Sequence, residues 1–264
     1  MDELRGAVVV VTGASRGLGE VIAKRLAAAG CRLALVARDA RKLAVVREAC
    51  PGSVAISADV TRPDDRERLL GEAERALGPI DGLVNNAGIE ITEGVLHQSD
   101  AEVEATLATN LVAPIALTRL VLPGMLARRR GAIANVSSMS GKGATPYNSI
   151  YAAAKHGLNG FTASVAIELA GSGVHVGVVC PGFVSGAGMW AGTGLRAPWV
   201  LREVTPDAVA EGVVQVLGGA SEVLVTSGPI RPLLAFQELF PALKAPLMER
   251  LGITAALRAR AARG

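Results

Sequence analysis

"AVVVVTGASRGLGE", residues 7–20, sets a run of five apolar residues against a turn punctuated by three glycines. A β-branched run of that length reads as a strand covered on both faces, and the residues after Gly19 continue with helical spacing. Between the two, Gly13 permits a tight turn, Gly17 lets backbone approach a phosphate, and Gly19 lets the helix pack on the strand. Ser15, Arg16 and Leu18 fill the places between them. The helix N-terminus presents free N–H groups and a positive dipole end to an anion. A glycine loop alone predicts only a turn. Strand, loop and helix in this order predict a dinucleotide site.

Outward from this unit, short apolar runs at 32–37, 53–57, 80–84, 131–137, 174–180 and 222–226 read as further strands. Helical patterns fall near 17–29, 40–49, 64–77, 100–128, 146–170 and 206–218, with a break expected at Pro114. Thr61, Ser99, Thr145 and Thr205 are candidate N-caps, and Pro146 and Pro206 suit first-turn positions. Strands alternating with helices predict a single doubly wound α/β domain with a mainly parallel, seven-stranded sheet over residues 1–228. Ligands of such sheets bind beyond the carboxyl ends of the strands, so the residues that follow each strand carry the chemistry.

The second strand ends in "VARD", with Arg38 ahead of Asp39. An acid at the strand tip would hold a ribose 2′-hydroxyl; a guanidinium there, helped by Arg16, suits a 2′-phosphate and selects NADP(H). "ADV" (58–60) places Asp59 and Val60 where an adenine edge would lie. In "NNAG" (85–88) the two asparagines can satisfy loop backbone groups; Asn86, Ala87 and Gly88 stand where a ribose would approach.

The composition excludes other classes. The chain has 264 residues, a net charge of +3 and 3% aromatic residues. That excess is too small and scattered for nucleic acid, and the one dense cluster, "ARRRG" (127–131), reads as a solvated helix end. Cys31, Cys50 and Cys180 have no metal-ligand spacing and read as buried thiols of a reducing compartment. With neither a signal pattern nor an uninterrupted apolar run of membrane-spanning length, a cytoplasmic protein is expected.

"YNSIYAAAKHG" (147–157) holds both tyrosines, and Tyr147, Tyr151 and Lys155 recur every four residues, one stripe on a helix. Taken in order, "TGASRGLG", "NNAG", Asn110, "NVSS" and "YAAAK" resemble the short-chain dehydrogenase/reductase family over roughly residues 5–228. The resemblance implies that Tyr151, with Lys155 four residues on and Ser138 thirteen before, is the acid/base; Ser138 would bond the reacting oxygen. It further implies that Lys155 holds the nicotinamide ribose and that Asn110 anchors a water leading to Lys155. An ammonium one turn away should favour the phenolate of Tyr151. Pro181, Gly182 and Val184 would lie against the nicotinamide. Where many members place a threonine to hold the carboxamide this chain has Gly186, with Ser185 a possible substitute.

Two segments depart from the family pattern. Residues 186–204 are glycine-rich and carry Met189, Trp190, Leu195, Trp199 and Val200, which suits a lid over an apolar substrate. Ser138, Tyr147, Tyr151, Met189 and Trp190 are the expected substrate contacts. Residues 229–264 form a helical extension with Phe236, Leu239, Phe240, Leu243, Leu247 and Leu251 as apolar positions and Arg250, Arg258, Arg260 and Arg263 near its end. It is expected to pack on its own domain, cover the substrate mouth or join a subunit, in preference to lying on a membrane surface. The reading is an NADPH-dependent reductase of a small apolar ketone or aldehyde, reversible as an alcohol dehydrogenase, in a homodimer or homotetramer. A 3-oxoacyl thioester reductase, its acidic carrier steered by Arg128–Arg130, is the alternative. A non-catalytic NADP(H) sensor is the alternative from another class.

Overall fold

Val8–Thr12 (β1) is buried throughout, and its residues alternate between two cores. Val9 and Val11 face one helical layer, Val8 and Val10 the other, as a period of two dictates for a strand covered on both sides. The structure is a computed structural model describing residues 4–191, 195, 197, 201–228 and 230–262. The other strands are Arg32–Ala37 (β2), Val54–Ser57 (β3), Gly82–Asn85 (β4), Gly131–Val136 (β5), Val174–Pro181 (β6) and Glu222–Val225 (β7). They form one parallel sheet in the order β3-β2-β1-β4-β5-β6-β7. The order reverses between β1 and β4, which opens a crevice at their carboxyl ends.

Gly17–Ala28 (α1), Ala40–Glu48 (α2) and Pro206–Leu217 (α7) cover one face, with Ile22, Leu26, Leu43 and Val213 buried against Leu33 and Leu35. The opposite face carries Pro63–Leu77 (α3), Ala113–Ala127 (α5) and Ser149–Glu168 (α6), with Leu69, Leu117 and Met125 against Leu83 and Ile133. Each such side chain contributes about 1.5–3 kcal/mol when fully buried. Aliphatic volume, in a chain with few aromatics, makes the core.

Ser99 and Thr205 cap Asp100–Leu107 (α4) and α7 as expected, the former in a full capping box. Thr61 and Thr145 do not cap. The Thr61 hydroxyl bonds Asp59 Oδ1 at 2.7 Å instead, and α6 starts only at Ser149, after Asn148. Nor does the chain break at Pro114: α4 runs into α5 through a single π-helical stretch, Ala108–Val112. Proline has no N–H to return to the carbonyl four residues back, so an α-helical bond to Asn110 is unavailable and the wider turn absorbs the defect. Among the described residues, this continuous run, Asp100–Ala127, is long and apolar enough to cross a bilayer by length and composition. Here its Ala113, Leu117, Val121 and Met125 stripe is core.

Two further expectations change. Arg128 and Arg129 donate to the carbonyls of Ile80 and Gly171, and Arg130 pairs with Asp81 at 3.5 Å. All three precede β5, at the amino end of the sheet and away from the crevice, so they are not placed to steer a carrier to it. In the tail, Ile230–Leu239 (α8), Lys244–Arg250 (α9) and Ile253–Ala261 (α10) are helical. The buried residues there are Met248, Ile253 and Leu257, packed with Tyr147 and Leu201, whereas Phe236, Leu239, Phe240 and Leu243 stay exposed.

Buried amides cross-link the middle of the sheet. Asn85 Nδ2 donates to Asn135 Oδ1 at 2.8 Å, and Asn135 Nδ2 to Thr162 Oγ1 at 2.8 Å. Thr162 in turn bonds the Leu158 carbonyl at 2.7 Å. Of the adjacent pair in "NNAG", only Asn86 holds loop backbone, donating to the Thr12 carbonyl at 2.9 Å; Asn85 belongs to the strand.

Candidate active site

The crevice is a cavity of about 1460 Å³ that begins at Arg16, Arg38 and Lys42 and ends against the tail. The glycine loop forms its floor. Gly13 has φ +67°, and a Cβ on Gly19 would lie 2.0 Å from the Gly13 carbonyl oxygen, so the helix can start here only with glycine. Arg16 precedes α1 in extended conformation and makes no side-chain cap, leaving the first-turn N–H groups to face the cavity. Ser15, Gly17 and Leu18 line the same floor.

At the outer end, Asp39 is spent on capping: its Oδ1 accepts from Lys42 N at 3.0 Å, and Lys42 Nζ lies 3.5 Å from Oδ2. Arg38 and Arg16 are exposed and face the cavity without such a cap to hold. Asp59 and Val60 line the cavity next to Arg38, with the Asp59 carboxylate turned to Thr61. Asn86, Ala87 and Gly88 continue the wall. A Cβ on Gly88 would lie 2.8 Å from Asn110 Oδ1, so glycine there leaves room for the Asn110 amide, which lies behind this wall and not in the cavity lining. Asn110 sits in the π turn, fully buried; its Nδ2 bonds the Ile89 and Thr106 carbonyls, and its Oδ1 has no partner among the described residues. This surface fits an adenine dinucleotide: N–H groups for phosphate, two guanidiniums beyond them, and amide-lined walls between.

The inner end holds Ser138, Tyr151 and Lys155. Ser138 Oγ accepts from Ser140 N at 3.1 Å, which leaves its own proton to point elsewhere. Ser137 turns the other way and bonds the Lys155 carbonyl at 3.4 Å. Lys155, 4% exposed, donates from Nζ to the Val136 carbonyl at 2.9 Å and lies 5.5 Å from the centre of the Tyr151 ring. The depression of the phenol that the sequence suggests does not result. Burial pushes Tyr151 above its ordinary value, the Glu90 charge adds to the rise, and Ser138 and Arg260 oppose it. At neutral pH the phenol keeps its proton.

Burial brings Lys155 down to about 8 from 10.5. As pH falls between those values, the unfolded chain binds a proton that the folded chain refuses, so stability drops; below about 8 the penalty is constant. Lys155→Met should accordingly raise stability at pH 7 by on the order of 1–3 kcal/mol, less the lost bond to Val136. That gain should vanish near pH 10.5, and turnover should be lost. Melting curves at the two pH values check it; an unchanged or lower melting temperature at pH 7 would refute it.

Tyr147 is not where the helical stripe placed it. It precedes α6 with φ 62°, a left-handed conformation that turns its side chain toward the tail. There its hydroxyl accepts from Arg258 Nε at 2.8 Å and its ring joins Met248, Ile253 and Leu257, so it is a tail contact outside the cavity lining. Pro181, Gly182, Val184, Met189 and Trp190 do line the cavity. Ser185 does not: its hydroxyl is held by the Val204 carbonyl at 3.2 Å, which removes it as the substitute for the absent threonine. Trp190 packs on Phe183, centroids 4.5 Å apart, and donates to Glu203 at 3.1 Å. Trp199, Val200 and Arg263 lie outside the described residues.

The sequence reading passed over Glu90 and named Arg260 only as a basic residue of the tail, yet the two meet in the cavity wall. A signal existed: Ile253, Leu257 and Arg260 recur at helical spacing, so Arg260 shares the buried face of α10, and Glu90 is an acid set between two isoleucines.

A family model for short chain dehydrogenases matches residues 7–195. The chain belongs to the short-chain dehydrogenase family. It is 41% identical over 235 residues to ketoacyl reductase HetN of Nostoc sp., covering 87% of this chain and 82% of that protein. A metagenomic short-chain oxidoreductase solved in complex with NADP superposes with TM-score 0.72 at 38% identity, covering 84% of this chain and 97% of that one. An actinorhodin polyketide ketoreductase variant with NADPH gives 0.76 at 31% identity, covering 83% and 95%. In this chain the glycine loop and the Ser138–Tyr151–Lys155 group share one cavity.

Proposed function

We propose that the protein is an NADPH-dependent reductase of a ketone or aldehyde carried on an apolar molecule. The observation that carries this reading is one cavity that joins the glycine loop to the buried Tyr151 and then to a chamber walled by Leu233, Leu234, Ile253 and Leu257. Bound at the glycine loop, NADPH would supply the hydride to the carbonyl carbon. Tyr151 gives its proton to the carbonyl oxygen, Ser138 donates a hydrogen bond to that oxygen as charge develops, and Lys155 faces the ribose side. Asn110, with its unpartnered Oδ1 and the loosened turn around it, holds water on the path to Lys155. Leu233, Leu234, Ile253 and Leu257 with Met189 exclude bulk water from the far side.

The relatives named as ketoacyl reductase and polyketide ketoreductase favour a second reading, in which the carbonyl belongs to a 3-oxoacyl thioester. NADPH oxidation across a panel of apolar ketones, aldehydes and 3-oxoacyl thioesters separates the two. Turnover of thioesters alone would establish the second reading, and turnover of none would defeat both.

Arg38→Asp tests the choice of cofactor. The change removes a phosphate partner and introduces a carboxylate that accepts from a ribose hydroxyl and repels a 2′-phosphate. The ratio of kcat/KM for NADPH over NADH should fall by at least about 10-fold, since a lost attraction and a new repulsion act on the same 2′-phosphate. An unchanged ratio would mean the phosphate is read elsewhere.

A further inference from the structure

Arg260, on α10, grips a residue 170 positions earlier. Its Nη1 donates to Glu90 Oε1 at 2.8 Å and its Nη2 to Oε2 at 2.7 Å, the parallel two-bond geometry of arginine and carboxylate. Nη2 also donates to the Met189 carbonyl at 3.1 Å, and the guanidinium lies 5.6 Å from the centre of the Trp190 ring. Asn148, the residue before α6, adds a hydrogen bond from Nδ2 to Glu90. The loop after β4, the loop after β6, the start of the catalytic helix and the tail thus converge on one ion pair. It is buried: the side chains of Arg260 and Glu90 are 12% and 8% exposed.

We propose that Arg260 is a positioning residue that seats the C-terminal helix as the wall of the substrate chamber and neutralises the Glu90 carboxylate in the cavity it shares with Tyr151 and Lys155. The assignment rests on the reductase reading above. Surface pairs add little, but removing one partner of a buried, two-bond pair leaves a bare charge in the interior. Among the described residues, other tethers of the tail are the exposed hydrogen bond from Arg258 to Tyr147 and the 3.5 Å pair of Arg231 with Glu222. Its buried anchors are Met248, Ile253 and Leu257, and much of α8 and the turn after it stays exposed. The pair therefore decides where α10 rests, and with it how Ile253 and Leu257 close the cavity.

The same pair reaches the phenol. Glu90 and Cys180 act to raise Tyr151, Arg260 to lower it, and Lys155 lies beside its ring. With Arg260 gone, an unmatched carboxylate would share the cavity with Tyr151 and Lys155. Lys155 is the first of the two to lose its proton as pH rises, and Glu90 acts to raise it, so the alkaline limb of reduction would move to higher pH.

The experiment compares wild type, Arg260→Met and the double variant Glu90→Gln/Arg260→Met, by amide hydrogen exchange and by steady-state kinetics. Arg260→Met should speed exchange of residues 253–261 by about 10-fold or more and cut kcat/KM for a bulky apolar ketone at least about 10-fold. A small ketone should change by less than about 3-fold, NADPH affinity should hold, and the alkaline limb should rise. The double variant should return the limb to its wild-type position while exchange stays fast. Wild-type exchange in Arg260→Met, or an unmoved limb, would overturn the proposal. If wild type reduced no carbonyl while exchange responded as described, the seat would stand and the reductase reading would fall. Should Arg260→Met not fold, Arg260→Lys keeps the charge and loses the paired bonds. It should then raise KM for the bulky ketone with the limb in place, and an unchanged KM would overturn the proposal.

Discussion

Tyr151→Phe is expected to reduce carbonyl turnover by at least about 10²-fold, the usual contribution of a positioned acid, while NADPH binding stays close to wild type. The change removes one oxygen and its proton from a buried site and leaves the ring against Lys155. Tyr147→Phe is the matched control. That phenol accepts a hydrogen bond from Arg258 on the outer side of the tail, so its loss should loosen the tail and leave the chemistry nearly intact. Single-turnover rates with a fixed ketone measure both, and equal losses would show that the acid has been assigned to the wrong residue.

Gly19→Ala should be as damaging by a different route. The new methyl would sit 2.0 Å from the Gly13 carbonyl oxygen and 2.6 Å from Asn86 Nδ2, and the first of these is backbone that cannot swing aside. Either α1 backs away from β1 or the turn opens, and both misplace the N–H groups that face the cavity. Displacement of that size costs on the order of 10²-fold in a function that depends on alignment, so NADPH fluorescence titration should show binding nearly lost. Gly160→Ala, on the exposed side of α6 with no atom within 4 Å of the added carbon, should instead stabilise by about 0.4–1 kcal/mol. Retained tight binding in Gly19→Ala would mean the nucleotide does not use this loop.

The sheet could be read from the sequence because its strands are covered on both faces and so appear as unbroken β-branched runs. The glycine loop was legible for a related reason: close backbone approach tolerates only one residue type. Asn110 and Pro114 were visible as residues, but their joint consequence was not. A missing N–H can end a helix or widen one turn, and tertiary packing chose the second. Tyr147 misled because periodicity assumes a helix already under way, whereas a left-handed residue stands at its threshold. The tail was the least legible. Its most conspicuous apolar residues, Phe236 and Phe240, remain exposed, while its attachment depends on a charge meeting another far away in sequence. Hydrophobic spacing says which face of a helix is buried, not what it meets.

The amides of Asn85 and Asn135 have a consequence for accuracy. These residues are directly paired between β4 and β5. A slip of one position would turn one amide to the opposite face of the sheet and strand the other in the interior, at about 1–3 kcal/mol for each unsatisfied group. Aliphatic neighbours such as Leu83 and Ile133 would resist such an error far less sharply, since one branched side chain replaces another at small cost. The loops that leave these two strands carry Asn86, Gly88 and Glu90 on one side and Ser138 on the other. A polar lock in the middle of an oily sheet thus acts as the gauge from which these cavity-lining groups are spaced.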